Sequence, residues 1–227
     1  MNEVTLFWFR RDLRIQDNTG LYHALKSGTP VVPVFIFDRN ILDELEDSND
    51  RRVEFIHLAL QEIQSALIEK DTTLDIRYGK PLDVFREFIL DYRITAVYTN
   101  SDYEPYARER DTAVASLLRK NNIEFLSFKD HVIFEKDEII KDDGRPYSVF
   151  TPYSRKWNSK LNADSFRIQH NEKYFNRFQK QSARRMISLT EMGFKSAGQA
   201  FPSKSLNKEL IKKYKELRDF PSLMGTS

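Results

Sequence analysis

Residues 8–18 read Trp-Phe-Arg-Arg-Asp-Leu-Arg-Ile-Gln-Asp-Asn, directly after the start of an apolar run that spans Val4 to Phe9. Arg10, Arg11 and Arg14 alternate there with Asp12 and Asp17. Guanidinium groups offer planar arrays of donors that suit carboxylates, phosphates and carbonyl edges. Such a cluster has two readings. It can hold an anionic or polar ligand, or it can pair internally and fix the loop that carries it. Ligands of open parallel sheets bind outside the carboxyl ends of the strands, which is where this loop would lie.

Several other chemistries are excluded by residue type or spacing. Without cysteine, the chain has no thiolate nucleophile, disulfide framework, Cys zinc site or iron–sulfur cluster. No two of the glycines are separated by one residue, so the Gly-x-Gly-x-x-Gly fingerprint is missing. Gly79-Lys80 lacks the upstream glycine of a phosphate loop, because Leu74 stands there and Pro81 follows the lysine. There is no Gly-x-Ser-x-Gly elbow. His23, His57, His131 and His170 show no metal spacing, and a structural or solvated role is expected for each.

The elements that would position the arginine loop come from periodicity. Val4 to Phe9 and Val31 to Phe37 are nearly continuous apolar runs, as in strands buried on both faces, although Pro33 interrupts the second. Leu74, Ile76 and Tyr78 alternate, and Ile94 to Tyr98 and Ile123 to Leu126 form further short runs. Between them lie helical patterns. Asp17-Asn18 caps one that runs through Lys26, and Val53, Ile56, Leu60, Ile63 and Leu67 mark another over Arg51 to Lys70. Leu82, Phe85, Ile89 and Tyr92 mark a third, and Pro105 opens a fourth. This alternation predicts an α/β fold: a Rossmann-like open parallel sheet of about five strands with helices on both faces.

Beyond residue 130 the texture changes. Asp142 to Pro146 reads as a turn between extended pieces. Arg155 to Arg185 is basic and weakly periodic, as expected of a long linker lying on a surface, and Ser205 or Asn207 caps a short helical tail through Leu217. The expected division is an α/β domain over 1–130, a linker over 131–205 and the start of a helical domain over 206–227.

The residues in and after the arginine loop resemble the DNA photolyase and cryptochrome family, whose first strand and loop read Trp-Phe-Arg-x-Asp-Leu-Arg-x-x-Asp-Asn. Four further matches follow in the family's order. They are the basic pair Arg51-Arg52, the Glu-x-x-x-x-x-Arg-Asp pattern from Glu104 to Asp111, and Val149 to Tyr153 with Trp157. The last is Tyr214 with Arg218 to Pro221 and Gly225-Thr226-Ser227.

The resemblance implies a light-dependent lyase that splits cyclobutane pyrimidine dimers by electron transfer from FAD. The alternatives are a cryptochrome-type photosensor or a free-standing pigment- or nucleotide-binding module. It also implies that Tyr214, Thr226 and Ser227 begin an FAD site that continues past this sequence, which stops inside the family's Gly-Thr-Ser-Arg-Leu-Ser segment. Damaged DNA is then expected to bind through a C-terminal domain missing here, and the isolated chain to be inactive. Arg10, Phe37, Asp38 and Asp102 are candidates for an antenna pocket. A deazaflavin or flavin pigment is favoured over folate, because Tyr106 and Ala107 stand where the folate-using branch has Asn-Glu.

Composition sets broader bounds. The formal net charge of +2 does not mark a nucleic-acid binder by itself. No apolar run is long enough for a membrane span and no signal peptide is evident, so a cytoplasmic protein is expected.

Overall fold

The structure, a computed structural model, describes residues 2–198, 200–201, 205 and 207–218. Five strands form one sheet in the order β3-β2-β1-β4-β5, and every pair is parallel. The strands are β1 (Glu3–Phe9), β2 (Val31–Asp38), β3 (Asp75–Gly79), β4 (Arg93–Asn100) and β5 (Glu124–Phe128). They alternate with α1 (Thr19–Leu25), α2 (Arg39–Leu42), α3 (Arg51–Ile68), α4 (Pro81–Asp91) and α5 (Pro105–Lys120). The expected α/β architecture is therefore the observed one.

The near-continuous apolar runs are explained by two separate cores. Phe7 and Phe9 of β1, with Val31, Phe35 and Phe37 of β2, face α1 and α3. Leu6 and Trp8, with Val32, Val34 and Ile36, face α4 and α5. Side chains alternate across a strand, so a central strand must be apolar at both parities to bury both faces. The edge strand β3 has no neighbour beyond it, and all but its first residue are half-buried.

Pro33 is accommodated although β2 lies between β1 and β3. The carbonyl of Val31 accepts the Gln179 N–H at 2.8 Å, so polar groups of that parity turn away from β1. Pairing with β3 begins only at Val34. The missing N–H of Pro33 thus falls where no ladder requires it.

The region after β5 departs from the expected surface linker in two ways. A helix, α6 (Phe150–Lys160), forms inside it without contributing any buried residue. The chain beyond α6 is also anchored in the core, because Phe178, Met192 and Phe194 join the cluster of Phe7 and Phe9. Asn171 is fully buried and donates to the Asn18 carbonyl at 3.0 Å. Asp142 to Pro146 forms a turn closed by Lys141 and Arg145, with no strand on either side. The final described helix is α7 (Lys208–Leu217), capped by Asn207.

Candidate functional site

The strand order reverses at β1, with β2 and β3 on one side and β4 and β5 on the other. In open parallel sheets the carboxyl ends at that point form a crevice where nucleotides dock on a helix N-terminus. Here that position is filled by side chains. Asp12, Asn18 and Asn100 are all buried. Asp12 accepts the Arg10 N–H at 2.8 Å, the Asn18 amide at 3.1 Å and the Asn100 amide at 2.5 Å.

The amide groups at the start of α1 are taken as well. Thr19 N–H donates to Asp130, Gly20 N–H to Asn100 and Leu21 N–H to Asn18. A Cβ on Gly20 would lie 2.7 Å from Asn100 Oδ1, so only glycine allows α1 to approach β4 this closely. No donor is left at this terminus for a phosphate, consistent with the missing glycine fingerprint.

The arginines of the loop are committed to carboxylates. Arg10 donates to both oxygens of Asp111 on α5, Arg11 pairs with Asp102 and Glu104, and Arg14 pairs with Asp130. Arg110 also reaches Asp111, at 3.1 Å. Of the two readings of the cluster, the internal pairing is what the geometry shows. It ties the end of β1 to α5.

A separate crevice opens beside this lock, with a volume of about 180 Å3. Arg10, Phe37, Asp38 and Asp102 all line it: Arg10 directly follows β1, Phe37 and Asp38 end β2, and Asp102 lies in the loop after β4. Its floor is aromatic. Trp8 is buried, and two guanidinium groups lie near its ring, Arg10 at 5.2 Å and Arg110 at 4.9 Å from the ring centre. Arg10 Nη2 is buried and has no hydrogen-bond partner. Burial lowers the affinity of the Arg10 guanidinium for its proton, and the nearby Asp111 opposes that shift.

One end of the crevice holds an acid–phenol pair. Tyr106 donates its hydroxyl to Asp38 Oδ2 at 2.5 Å, and Asn40 donates to the same phenol oxygen at 3.1 Å. Burial raises the Asp38 pKa above the ordinary carboxylate range, with the Tyr106 hydrogen bond opposing. Burial and the Asp38 carboxylate together push the Tyr106 pKa up to about 12.

Sequence reasoning used Tyr106 to choose between antenna pigments but did not place it, Trp8 or Arg110 in this crevice. A signal was present. Tyr106, Arg110 and the fully buried Val114 recur every four residues on α5, so counting back from the core residue points the other two at the sheet. Tyr214 lies on α7, 56% exposed, and no contact joins it to the crevice. Thr226 and Ser227 lie outside the described residues. Among the described residues, no group of His, Cys, Asp or Glu is arranged to hold a metal ion. Among them also, no helix is long and apolar enough to cross a membrane.

Comparison with known proteins places these features. A family model described as DNA photolyase matches residues 5–172. A deoxyribodipyrimidine photo-lyase from a Synechococcus strain is 34% identical over 154 residues, which is 68% of this chain and 32% of that protein. A bacterial class III photolyase from Agrobacterium tumefaciens superimposes with a TM-score of 0.71 over 96% of this chain and 42% of its own. At 21% identity that likeness speaks for the fold alone. An archaeal photolyase from Sulfolobus tokodaii, described with two FAD molecules and a novel light-harvesting cofactor, gives a TM-score of 0.56 at 28% identity. It is matched over 70% of this chain and 35% of its own. The chain thus spans about a third of the length of the curated Synechococcus relative.

Proposed function

This chain belongs to the DNA photolyase family, and from that premise we propose that it is the α/β part of a light-dependent DNA repair lyase. The intact protein would split cyclobutane pyrimidine dimers by electron transfer from FAD, with the damaged base turned out of the duplex to reach the flavin. In this reading residues 1–130 form the antenna domain, 131–205 connect, and 206–227 open the flavin domain. Tyr214, Thr226 and Ser227 then contribute to an FAD site completed by residues beyond the share of the relatives that this chain spans. The damaged DNA binds mainly there too.

The antenna role rests on the crevice at the carboxyl ends of β1 and β2. Its residues fit a planar pigment with polar edges. Trp8 and Phe37 supply flat apolar surface, and the Asp38–Tyr106 pair supplies a hydrogen-bonding end. The unpartnered Nη2 of Arg10 adds a donor. When bound, such a pigment absorbs light and passes its excitation to FAD. Asp102 is held at the mouth by Arg11 at 3.2 Å and keeps a charged rim there. At about 180 Å3 the crevice is smaller than the ~300–1,000 Å3 of most small-molecule sites, so it suits part of a tricyclic ring better than a flexible folate.

The test of the repair function uses the intact protein and an oligonucleotide carrying a cyclobutane thymine dimer. Dimers should disappear under blue light and persist in darkness, and persistence in light refutes the reading. The 227-residue chain alone should neither repair nor retain stoichiometric FAD. A yellow chain that keeps FAD through purification refutes the proposed division. Titration of the chain with a deazaflavin, riboflavin and a reduced folate should favour the first two.

A further inference from the structure

A second and larger cavity, of about 450 Å3, lies between the end of β4, the first turns of α5 and the loop over 131–136. We propose that it is a ligand site in its own right, for an anionic group carried on a flat apolar body, that is, a nucleotide-class ligand. This inference does not depend on a pigment in the crevice, although Asp102 lines both spaces and forms their common wall.

Three lines of observation meet here. The volume falls in the range of small-molecule sites, about 300–1,000 Å3. The lining also holds polar groups without partners. His131 Nε2 is buried with no hydrogen-bond partner. The Arg108 guanidinium has no partner among the described residues, and Lys136 has only its exposed neighbour Asp137, at 3.7 Å. Of the two carboxylates in the lining, Asp102 is neutralised by Arg11 and Glu135 accepts the Ser101 hydroxyl at 2.7 Å. The positive groups therefore outnumber the unneutralised acid.

The walls are apolar and wet. Tyr103 is 60% exposed and Val132 38% exposed, with Phe134 beside them. Apolar side chains gathered around a concavity lose water when a flat ligand enters. A single water would satisfy His131 but would leave these walls uncovered. Phosphate and its carrier ring together account for both features.

The two tryptophans of the chain make the proposal testable cavity by cavity. Trp157 on α6 packs edge-on against Phe134 at 5.7 Å, whereas Trp8 lines the crevice. In the Trp8→Phe chain, Trp157 is the sole indole reporter. Its emission should change saturably with AMP, and adenosine should bind about tenfold more weakly, as expected for loss of charge-assisted contacts. Arg108→Ala, at an exposed position, should weaken AMP by about fivefold or more. His131→Gln should do the same, and circular dichroism will show whether that variant folds. In the Trp157→Phe chain, Trp8 emission should stay constant on adding AMP. No saturable response to millimolar AMP, equal affinity for adenosine, or full affinity in Arg108→Ala would each overturn the proposal. Flavin or folate binding in the crevice tests the antenna reading separately.

Discussion

Replacing Asp12 with alanine should be among the most destabilising single changes in this chain. The carboxylate is 3% exposed and accepts three buried donors, from the Arg10 backbone and from the Asn18 and Asn100 side chains. Stranding a buried donor costs about 1–3 kcal/mol. The three share one acceptor group and water can enter the space left, so the costs do not simply add. A loss of about 3–5 kcal/mol is expected, against a total stability of ~5–15 kcal/mol for a typical domain. For a chain of this size that corresponds to a melting temperature lower by about 6–20 °C.

Asp12→Asn separates hydrogen bonding from charge. Whichever way the amide turns, its NH2 group meets a donor, Arg10 N–H on one side or the two asparagine amides on the other. Its cost should approach that of alanine. Urea unfolding followed by circular dichroism measures both. If either variant lies within about 1 kcal/mol of the parent, the lock is not what holds the loop.

Four further outcomes follow from the same geometry. Gly20→Ala places a methyl 2.7 Å from Asn100 Oδ1 and 3.0 Å from the Thr99 carbonyl, and should cost about 1–3 kcal/mol in urea melts. Phe178→Ala removes a ring that is 3% exposed from the core, at about 3–5 kcal/mol. It should also speed tryptic cleavage at Arg177 and Lys180, and an unchanged digestion rate would count against the anchoring role. Because burial raises the Asp38 pKa in the folded state, its contribution is fullest below the ordinary value of 3.8 and is lost as pH rises through the folded pKa. Asp38→Asn, which does not titrate, should therefore improve relative to the parent as pH rises above the ordinary value of 3.8, and a flat difference contradicts the shift. The same substitution should lower the Tyr106 pKa from about 12, as read by ultraviolet titration.

The sheet was legible because each of its signals is local. Apolar parity along β1 and β2, alternation in β3 and the helical spacing of α3 are set by residues a few positions apart. Arg10, Phe37, Asp38 and Asp102 could be placed near one another because the strand-end rule needs only the order of the strands. Anchoring of the chain after α6 was not legible. Phe178 and Asn171 sit in a basic, weakly periodic stretch, and their partners are far away in sequence, in β2 and at the cap of α1. α6 was missed although Phe150, Tyr153 and Trp157 recur at helical spacing: Pro152 and a polar, basic run interrupt those three, and the helix buries no residue. The roles of Arg110 and Asp111 depend on contact with β1, and a spacing within α5 says nothing about which acid receives which arginine.

The separation between the buried lock and the crevice beside it governs how this fold can vary. Asp12, Asn18, Gly20 and Asn100 hold the strands and α1 in place, whereas Phe37, Asp38 and Tyr106 line the crevice and take no part in that network. Arg10 alone belongs to both. Substitutions at Asp38 and Tyr106 can accumulate without loosening that network, whereas Phe37 also belongs to the hydrophobic core, so the chain can change the polar end of the crevice while keeping its shape. A drifting ligand preference on a constant scaffold is the expected evolutionary signature. Its trace would be variable residues at the crevice and unchanging ones a few ångströms beneath it.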